Sequence, residues 1–341
     1  MTADPPAPQS KRIAVIGAGS WGTALAIVAA RNQHKVKLWA REPEVATQIN
    51  RDRRNPFYLC EFELPHNIQA TTSLEDAIEG AHFALLVLPS HAMREIVGRL
   101  RPRLRSELVL VSAAKGVENS TLMRMEEVVA DVLREKFIPN YVALSGPSFA
   151  IEVAKGDPTA IVAASSNRES SELIQHSLSS SLFRIYTNTD VVGVELGGAV
   201  KNVVAIAAGI VRGLDFGTNA VAAIITRGLA EMTRLALAQG AKVETMAGLA
   251  GLGDLVLTCT GELSRNRHVG VELGRGRRLA DIIGEMREVA EGVKSTKSIY
   301  ELGQRLGIEM PITANIHALL YEDKPALDAA NELMGRPLKR E

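Results

Sequence analysis

The sequence has few cysteines, few aromatic residues and no net charge, and each shortage argues against a class of protein. Its 341 residues include only Cys60 and Cys259, which allow at most one disulfide and suit a reducing compartment, so we expect a cytoplasmic location. No Cys/His cluster has the spacing of a metal site, and we expect no metal cofactor. The 39 basic and 39 acidic side chains balance, which argues against nucleic acid as a partner because phosphate backbones require a basic excess.

The sequence also lacks the patterns of a signal peptide and of a membrane span. Residues 1–10 contain neither a basic nor an apolar segment, so we expect a short disordered tail there. The most apolar run, residues 191–214, is interrupted by Glu195, Lys201 and Arg212, whereas a span carries about 20 apolar residues with few charges. We therefore interpret this run as a buried helix and expect no membrane span.

The patterns that are present predict two domains. With 46% hydrophobic residues, 4% aromatic residues and 28 glycines, the core should be aliphatic with many close backbone contacts. Residues 11–189 alternate strand and helix patterns, which predicts a mostly parallel, doubly wound α/β sheet with helices on both faces. Residues 190–341 carry helical patterns alone and predict an all-helical domain that binds the substrate. The predicted strands are 12–16, 35–39, 68–71, 82–88, 108–112, 142–144 and 159–163, and the predicted helices are 22–30, 91–104, 121–135, 191–213, 219–239, 266–274, 279–286, 294–306 and 312–321.

A glycine-rich turn opens the first predicted helix. The residues Gly17-Ala-Gly19-Ser-Trp-Gly22 form a GxGxxG motif, which alone is a weak signal in a glycine-rich chain. Here the motif directly follows a strand and precedes a helix, and another strand comes about 15 residues later, as in a dinucleotide-binding βαβ unit. The helix N-terminus then offers N–H groups to phosphates. The alternative is a tight turn without a ligand. We expect a Rossmann-like domain.

The end of the second strand bears on which dinucleotide binds. NAD sites usually place an acid there for the ribose 2′-hydroxyl, but this chain has Ala40 and Arg41. Arg41 could pair with a 2′-phosphate, which favours NADP or tolerance of both cofactors. Glu42, an acid one residue later, leaves NAD as an alternative cofactor. Arg41 could also be an ordinary surface residue.

Lys201 is the strongest catalytic candidate. It lies among valines and alanines in an apolar helix, where burial would make its amine a usable acid or base near neutral pH. Reduction of a carbonyl by hydride needs such a proton donor. The alternative is a structural lysine that pairs with Glu195 or another acid at the helix surface.

Two further groups of polar residues complete the candidate site. Asp254 follows two glycines in an apolar stretch, and a buried acid needs a partner such as a lysine. Ser264, Arg265 and Asn266 open a predicted helix with donors that suit a phosphate, although a solvated basic turn explains Arg265 and Arg267 equally well.

Other candidates follow the ends of predicted strands. Lys115 and the turn from Gly146 to Ser148 each follow such a strand, and the carboxyl ends of parallel strands line the cofactor crevice. His91 is better explained as a residue at a helix start. Cys259 has no neighbouring histidine in the sequence and is best explained as a structural residue.

Together these segments resemble the bacterial-type NAD(P)-dependent sn-glycerol-3-phosphate dehydrogenases. The similar segments are GAGSWGTALA from Gly17, LPSH from Leu88, AAKG from Ala113, SGPSFAIEVAKG from Ser145, ELGGAVKNVVAIAAG from Glu195, ITRGLAEM from Ile225, AGLAGLGDLVLTCTGELSRNR from Ala247 and AEGVKSTKSI from Ala290. They occur in the family's order over about residues 11–335, and several are specific to it. Departures are minor, since Ser148 and Trp21 stand where relatives vary among similar residues.

The resemblance implies reversible reduction of dihydroxyacetone phosphate to sn-glycerol 3-phosphate, a precursor of phospholipids, with NADP or NAD as cofactor. A homodimer is one assembly open to the chain. The resemblance also implies Lys201 as the proton acceptor in alcohol oxidation. The glycines of the turn, Gly17, Gly19 and Gly22, are expected cofactor contacts. The further cofactor contacts that the resemblance implies are Ser20, Trp21, Arg41, Lys115, Ala150, Arg265, Val289 and Glu291. The implied substrate contacts are Lys115, Gly146, Ser148, Lys201, Asp254, Ser264, Arg265 and Asn266. The rival functions are a related two-domain hydroxy-acid dehydrogenase and a non-catalytic NADP-binding sensor.

Overall fold

The computed structural model describes residues 10–286 and 290–338. Of the predicted tail, residues 1–9 lie outside the described residues, while the hydroxyl of Ser10 donates to the carbonyl of Gln33 at 2.8 Å.

An eight-stranded sheet forms the first part of the chain, in the order β3-β2-β1-β4-β5-β6-β7-β8. Every neighbouring pair is parallel except β6 and β7, so the prediction of a mostly parallel sheet is confirmed. Since β1 connects to β2 on one side and pairs with β4 on the other, the chain reverses its direction of travel across the sheet there. The strands are β1 (Arg12–Ile16), β2 (Lys35–Trp39), β3 (Ile68–Thr71), β4 (Phe83–Leu86), β5 (Val109–Ser112), β6 (Asn140–Ser145), β7 (Thr159–Ala164) and β8 (Phe183–Asn188).

Helices cover both faces of the sheet. Their buried aliphatic side chains form two clusters, one on each face, because the strands of a parallel sheet are apolar on both sides. The helices are α1 (Ser20–Arg31), α2 (Pro43–Asp52), α3 (Leu74–Ile78), α4 (Met93–Leu100), α5 (Met125–Leu133), α6 (Ala150–Lys155) and α7 (Arg168–Leu178).

The remaining described residues are helical, and they pack around one buried helix, α8. The helix predicted for residues 191–213 matches α8. This helix is long and apolar enough to cross a membrane, but its apolar stretch is wholly buried inside the fold. It packs closely on α12, since a Cβ at Gly209 would lie 2.1 Å from the carbonyl oxygen of Arg267. The helices are α8 (Val191–Gly213), α9 (Thr218–Ala238), α10 (Val243–Ala247), α11 (Asp254–Thr260), α12 (Arg265–Gly274), α13 (Leu279–Glu285), α14 (Glu291–Leu306), α15 (Pro311–Tyr321) and α16 (Ala326–Met334), with a π-helical turn at Leu249–Gly253.

Some predicted elements were wrong in extent, and strand β8 and several helices, among them α2 and α7, were not predicted. The helix predicted for 91–104 ends at Leu100, shortly before Pro102, and begins as the 3₁₀ turn Ser90–Ala92. The helix predicted for 121–135 begins only at Met125, because the preceding residues form a backbone bridge between Val117 and Arg124. Strand β8 was missed, since only Phe183 and Ile185 bury apolar side chains on this edge strand.

Candidate active site

The candidate residues gather where the carboxyl ends of the central parallel strands meet the helical region. The glycine-rich turn follows β1, Lys115 follows β5 and Gly146 follows β6, and β1, β4, β5 and β6 all run in the same direction. Helix α8 lies against this edge, because the missing side chain of Gly198 leaves room for Ser145 and Lys115. The topology therefore brings residues far apart in the sequence to one cleft.

Each glycine of the turn has a different environment. Gly17 has φ of 120°, and a Cβ there would lie 2.2 Å from the carbonyl oxygen of Val87. A Cβ at Gly22 would lie 1.8 Å from the carbonyl oxygen of Gly17, so the third glycine lets α1 pack on the turn. Gly19 has no atom within 4 Å of a Cβ position. The space beside Gly19 is therefore open to a ligand, at the N-terminus of a helix whose first turn contains no acid.

Lys201 is buried in the apolar helix α8 and is hydrogen-bonded to an acidic residue. Its Nζ donates to Oδ1 of Asp254 at 2.5 Å and to the Thr258 hydroxyl at 2.8 Å. Glu195, the alternative partner, accepts from Arg124 and Tyr141 instead. An ammonium has three N–H donors, so these two contacts leave Lys201 one for a substrate.

Asp254 joins two lysines from different parts of the fold. Its Oδ2 accepts from Nζ of Lys115 at 2.7 Å, and the same Nζ lies 3.4 Å from the carbonyl oxygen of Gly146. Asp254 is the first residue of α11, after the π-helical turn, and only 1% of its surface is exposed. The carboxylate is therefore fixed by two ammonium groups, one from the sheet and one from α8.

The pKa values in this cluster follow from burial and charge. Burial lowers the pKa of Lys201 to about 8; Asp254 opposes this shift, and Lys115 adds to it. Burial works against ionisation of Asp254, but the ammonium groups of Lys115 and Lys201 outweigh it and hold the pKa of the carboxyl below its ordinary value. At neutral pH the three groups carry one net positive charge, which suits an anionic substrate.

The start of α12 lies beside Lys201. Asn266 is buried and donates to Oδ1 of Asn202, the residue after Lys201, at 2.9 Å. Its own Oδ1 accepts from the N–H of Gly292 at 2.9 Å, which ties α8, α12 and α14 together. Ser264 caps α12 by accepting from the N–H of Arg267, and Arg265 is exposed as the first residue of that helix.

The other candidates lie in turns or at the first residues of helices. Ala150 is the first residue of α6. Ala150 and Trp21 both pack against the buried aliphatic cluster on one face of the sheet. Ser20 is the first residue of α1, Ser148 donates to the carbonyl of Gly146 at 3.1 Å, and Glu291 is the first residue of α14. Val289 lies outside the described residues.

Arg41 is placed as predicted, just beyond β2, but it is not an isolated cation. Its guanidinium lies 2.7 Å from Oε1 of Glu42, and 82% of its side chain is exposed. The hydrogen bond and charge of Glu42 raise the pKa of Arg41. A cofactor 2′-phosphate would therefore compete with Glu42 for this arginine.

Two positioning residues had no predicted role. Thr258 lies one helical turn after Asp254 and holds both it and Lys201, since its hydroxyl donates to the carbonyl of Asp254 at 2.6 Å. Asn202 follows Lys201 directly and anchors Asn266. The spacing of four residues between Asp254 and Thr258 was the only sequence signal for Thr258.

The two cysteines differ in their burial. Cys60 is exposed, Cys259 is buried, and both are free. Burial raises the pKa of Cys259 to about 12, which leaves it protonated and unreactive at neutral pH. Within residues 10–286 and 290–338, no group of three or more His, Cys, Asp or Glu residues is arranged to hold a metal ion.

Comparisons with known proteins show the family of the chain. Family models described as the N-terminus and C-terminus of NAD-dependent glycerol-3-phosphate dehydrogenase match residues 12–171 and 190–331. Glycerol-3-phosphate dehydrogenase [NAD(P)+] from Koribacter versatilis is 58% identical over 328 residues, which cover 96% of this chain and 97% of that protein. The protein of the same name from Geobacter sulfurreducens is 55% identical, with 97% and 99% covered.

Solved structures give the same result. The crystal structure of glycerol-3-phosphate dehydrogenase from Coxiella burnetii has a TM-score of 0.92 and 41% identity, and the match covers 96% of this chain and 100% of that chain. A ketopantoate reductase from Ralstonia eutropha, at 18% identity and a TM-score of 0.59, shares the fold alone. The chain belongs to the NAD-dependent glycerol-3-phosphate dehydrogenase family.

Proposed function

We propose that Lys201 is the proton donor and acceptor as this oxidoreductase interconverts dihydroxyacetone phosphate and sn-glycerol 3-phosphate. The observation that carries the proposal is the buried ammonium of Lys201, held at 2.5 Å from Asp254 and with its pKa lowered to about 8. Nζ donates a proton to the carbonyl oxygen on C2 in reduction, and it accepts the hydroxyl proton in oxidation. Asp254 and Thr258 orient the amine for both directions.

The glycine-rich turn is the proposed site for the dinucleotide. The open space beside Gly19 and the N-terminus of α1 fit a pyrophosphate. When bound, the cofactor supplies or takes up the hydride at C2 of the substrate. The further proposed cofactor contacts are Gly17, Ser20, Trp21, Gly22, Arg41, Lys115, Ala150, Arg265, Val289 and Glu291.

The substrate phosphate is proposed to bind at the start of α12. Asn266 donates to Asn202, the residue after Lys201 on α8, and Arg265 directly precedes Asn266 at the start of α12. Binding there would orient C2 without touching the reacting carbon. Lys115 adds a second ammonium at the same edge, and the other proposed substrate contacts are Gly146, Ser148, Asp254 and Ser264.

A spectrophotometric assay tests this function against its rivals. We expect oxidation of NADPH and of NADH with dihydroxyacetone phosphate, and none with a 2-keto acid that lacks a phosphate. Turnover of the keto acid alone would favour a hydroxy-acid dehydrogenase. Binding of NADPH without turnover of any substrate would favour a sensor.

The finer biological setting is also a proposal. A cytoplasmic enzyme that supplies sn-glycerol 3-phosphate for phospholipid synthesis is consistent with two free cysteines. We further propose that the chain is divided into a dinucleotide-binding domain (11–189) and a helical domain (190–341). The proposed assembly is a homodimer. Light scattering at several protein concentrations would give the oligomeric state, and a mass of about 37 kDa, that of one chain, would rule out the dimer.

A further inference from the structure

The loop of residues 53–64, which joins α2 to β3, packs beside the glycine-rich turn and has no part in the reaction described above. Arg53 closes its base, with a left-handed backbone (φ 54°) and a guanidinium that donates to the carbonyl oxygens of Leu64 and Ile68 at 3.3 and 2.9 Å. The N–H of Leu64 donates back to the carbonyl of Arg53 at 2.7 Å. The loop is thus a closed unit that can hold one side chain in a fixed place.

That side chain is Asn55, which is fully buried and uses its whole hydrogen-bonding capacity. Its Nδ2 donates to the carbonyl oxygen of Ala18 and to the hydroxyl of Thr23, both at 2.9 Å. Its Oδ1 accepts from the N–H groups of Phe57 and Tyr58 at 3.1 and 3.2 Å. One face of the amide therefore shapes the loop, and the other holds the glycine-rich turn.

The bond to Ala18 sets the direction of a neighbouring donor. The carbonyl of Ala18 and the N–H of Gly19 belong to one peptide group, and no cis peptide occurs among the described residues. In a planar trans peptide, the C=O and the N–H point in opposite directions. Because Asn55 holds the carbonyl of Ala18, the N–H of Gly19 points away from Asn55, and no protein atom lies within 4 Å of a Cβ position at Gly19.

We propose that Asn55 is a positioning residue for the cofactor, which orients the Ala18–Gly19 peptide so that the N–H of Gly19 donates to the dinucleotide's pyrophosphate. Without Asn55 the carbonyl of Ala18 would keep only the long hydrogen bond from the Thr23 hydroxyl, at 3.4 Å. The peptide could then rotate, and its carbonyl oxygen would face the phosphates and repel them. The inference rests on the proposed binding of the cofactor at this turn. Asn55 stands apart from Lys201 and Asp254, so its loss should affect cofactor binding rather than the chemical step.

The test is Asn55→Asp, which keeps the side chain's shape and its acceptor for the loop but removes the donor to Ala18. We expect the Kd for NADPH, measured by its fluorescence, to rise about tenfold or more, since a buried oxygen would face the Ala18 carbonyl. At saturating NADPH, kcat and the KM for dihydroxyacetone phosphate should stay within about twofold of wild type.

Asn67→Asp is the matched control for a purely structural effect. Asn67 also donates twice through its amide, to the carbonyl oxygens of Ala30 and His34 at 2.8 and 2.7 Å, but it lies at the far end of α1. We expect this variant to lose thermal stability while its Kd for NADPH stays unchanged. Equal Kd changes in the two variants, or an unchanged Kd in Asn55→Asp, would overturn the inference.

Two further variants allow the result to be interpreted if Asn55→Asp does not fold or if the cofactor binds elsewhere. If Asn55→Asp does not fold, Asn55→Ser takes its place, because a serine hydroxyl can still accept from a nearby N–H of the loop but is too short to reach Ala18. Gly19→Ala separates this inference from the proposed function. If Gly19→Ala leaves the Kd for NADPH unchanged, the proposed cofactor site is wrong; if it raises the Kd while Asn55→Asp does not, only the role of Asn55 is wrong.

Discussion

The ammonium of Lys201 and the carboxylate of Asp254 lie 2.5 Å apart, and Lys115 occupies the other oxygen of the same carboxylate at 2.7 Å. One buried acid thus fixes two cations that come from the sheet and from the helical region. Because Asp254 stays ionised between them, Lys201 keeps its place whether or not it carries a proton. This arrangement explains how one amine can serve both directions of the reaction.

The pH dependence of the enzyme should follow the protonation of Lys201. Its pKa is lowered to about 8, so reduction, which needs the ammonium, should lose kcat/KM as the pH rises through about 8. Oxidation, which needs the free amine, should gain kcat/KM over the same interval. Initial rates in both directions from pH 6 to 10 measure this. Profiles of the same shape in both directions would contradict the assignment.

Replacing Asp254 by Asn should destabilise the fold and shift the pH dependence of the activity. The change leaves one buried and one partly buried ammonium group without their counter-charge, at a cost of about 3–5 kcal/mol in the free energy of unfolding. The pKa of Lys201 should fall further, which moves the loss of reductive activity to lower pH. Denaturant unfolding and the pH profile measure the two effects.

Asp281→Asn is the matched control for this change. Asp281 pairs with Arg278, but 48% of its side chain is exposed, so its removal should alter neither the stability nor the pH profile noticeably. If both Asp variants behaved alike, the buried carboxylate would have no special role.

The glycines of the turn should separate binding from folding. In Gly19→Ala the new methyl group meets no protein atom, so the melting temperature should hold while the Kd for NADPH rises by about tenfold. In Gly22→Ala the methyl group would lie 1.8 Å from the carbonyl oxygen of Gly17, so this variant should be destabilised by several kcal/mol, about 3 or more. Thermal melts and NADPH titrations distinguish the two; a destabilised Gly19→Ala with normal NADPH affinity would contradict the account.

Cofactor preference should depend on the pair formed by Arg41 and Glu42. Glu42→Gln removes the carboxylate that now holds the arginine, so the ratio of kcat/KM for NADPH to that for NADH should rise about threefold or more. Arg41→Ala should lower the same ratio. Steady-state rates with both cofactors measure this. An unchanged ratio in both variants would show that Arg41 does not meet the 2′-phosphate.

Much of the fold could be predicted because its signals are local. The strand Arg12–Ile16 and the helix Val191–Gly213 each carry a continuous apolar pattern, and both were predicted to the residue. Elements with weaker patterns were missed. Strand β8 buries only Phe183 and Ile185, and its place beside β7 depends on tertiary pairing that no local pattern reveals.

The pairing of Asp254 with Lys201 was expected, because a buried acid in an apolar stretch needs a cationic partner, but the other connections of the candidate site were not predicted. Lys201 and Asp254 stand out because charged residues are rare in apolar segments. That Asp254 would bridge Lys115 and Lys201, and that Asn55 would reach the glycine-rich turn, depends on contacts between segments 139, 53 and 37 residues apart. Such contacts are set by the packing of the whole chain and leave no local pattern.

The most direct test of the central claim is the turnover of Lys201→Met, which keeps the length of the side chain but removes the proton. The account predicts that kcat with dihydroxyacetone phosphate and NADPH falls by about 10²–10⁴, while the Kd for NADPH stays close to that of wild type. Lys297→Met, at an exposed lysine of α14, is the control and should leave both unchanged. Turnover of Lys201→Met near the wild-type rate would contradict the account.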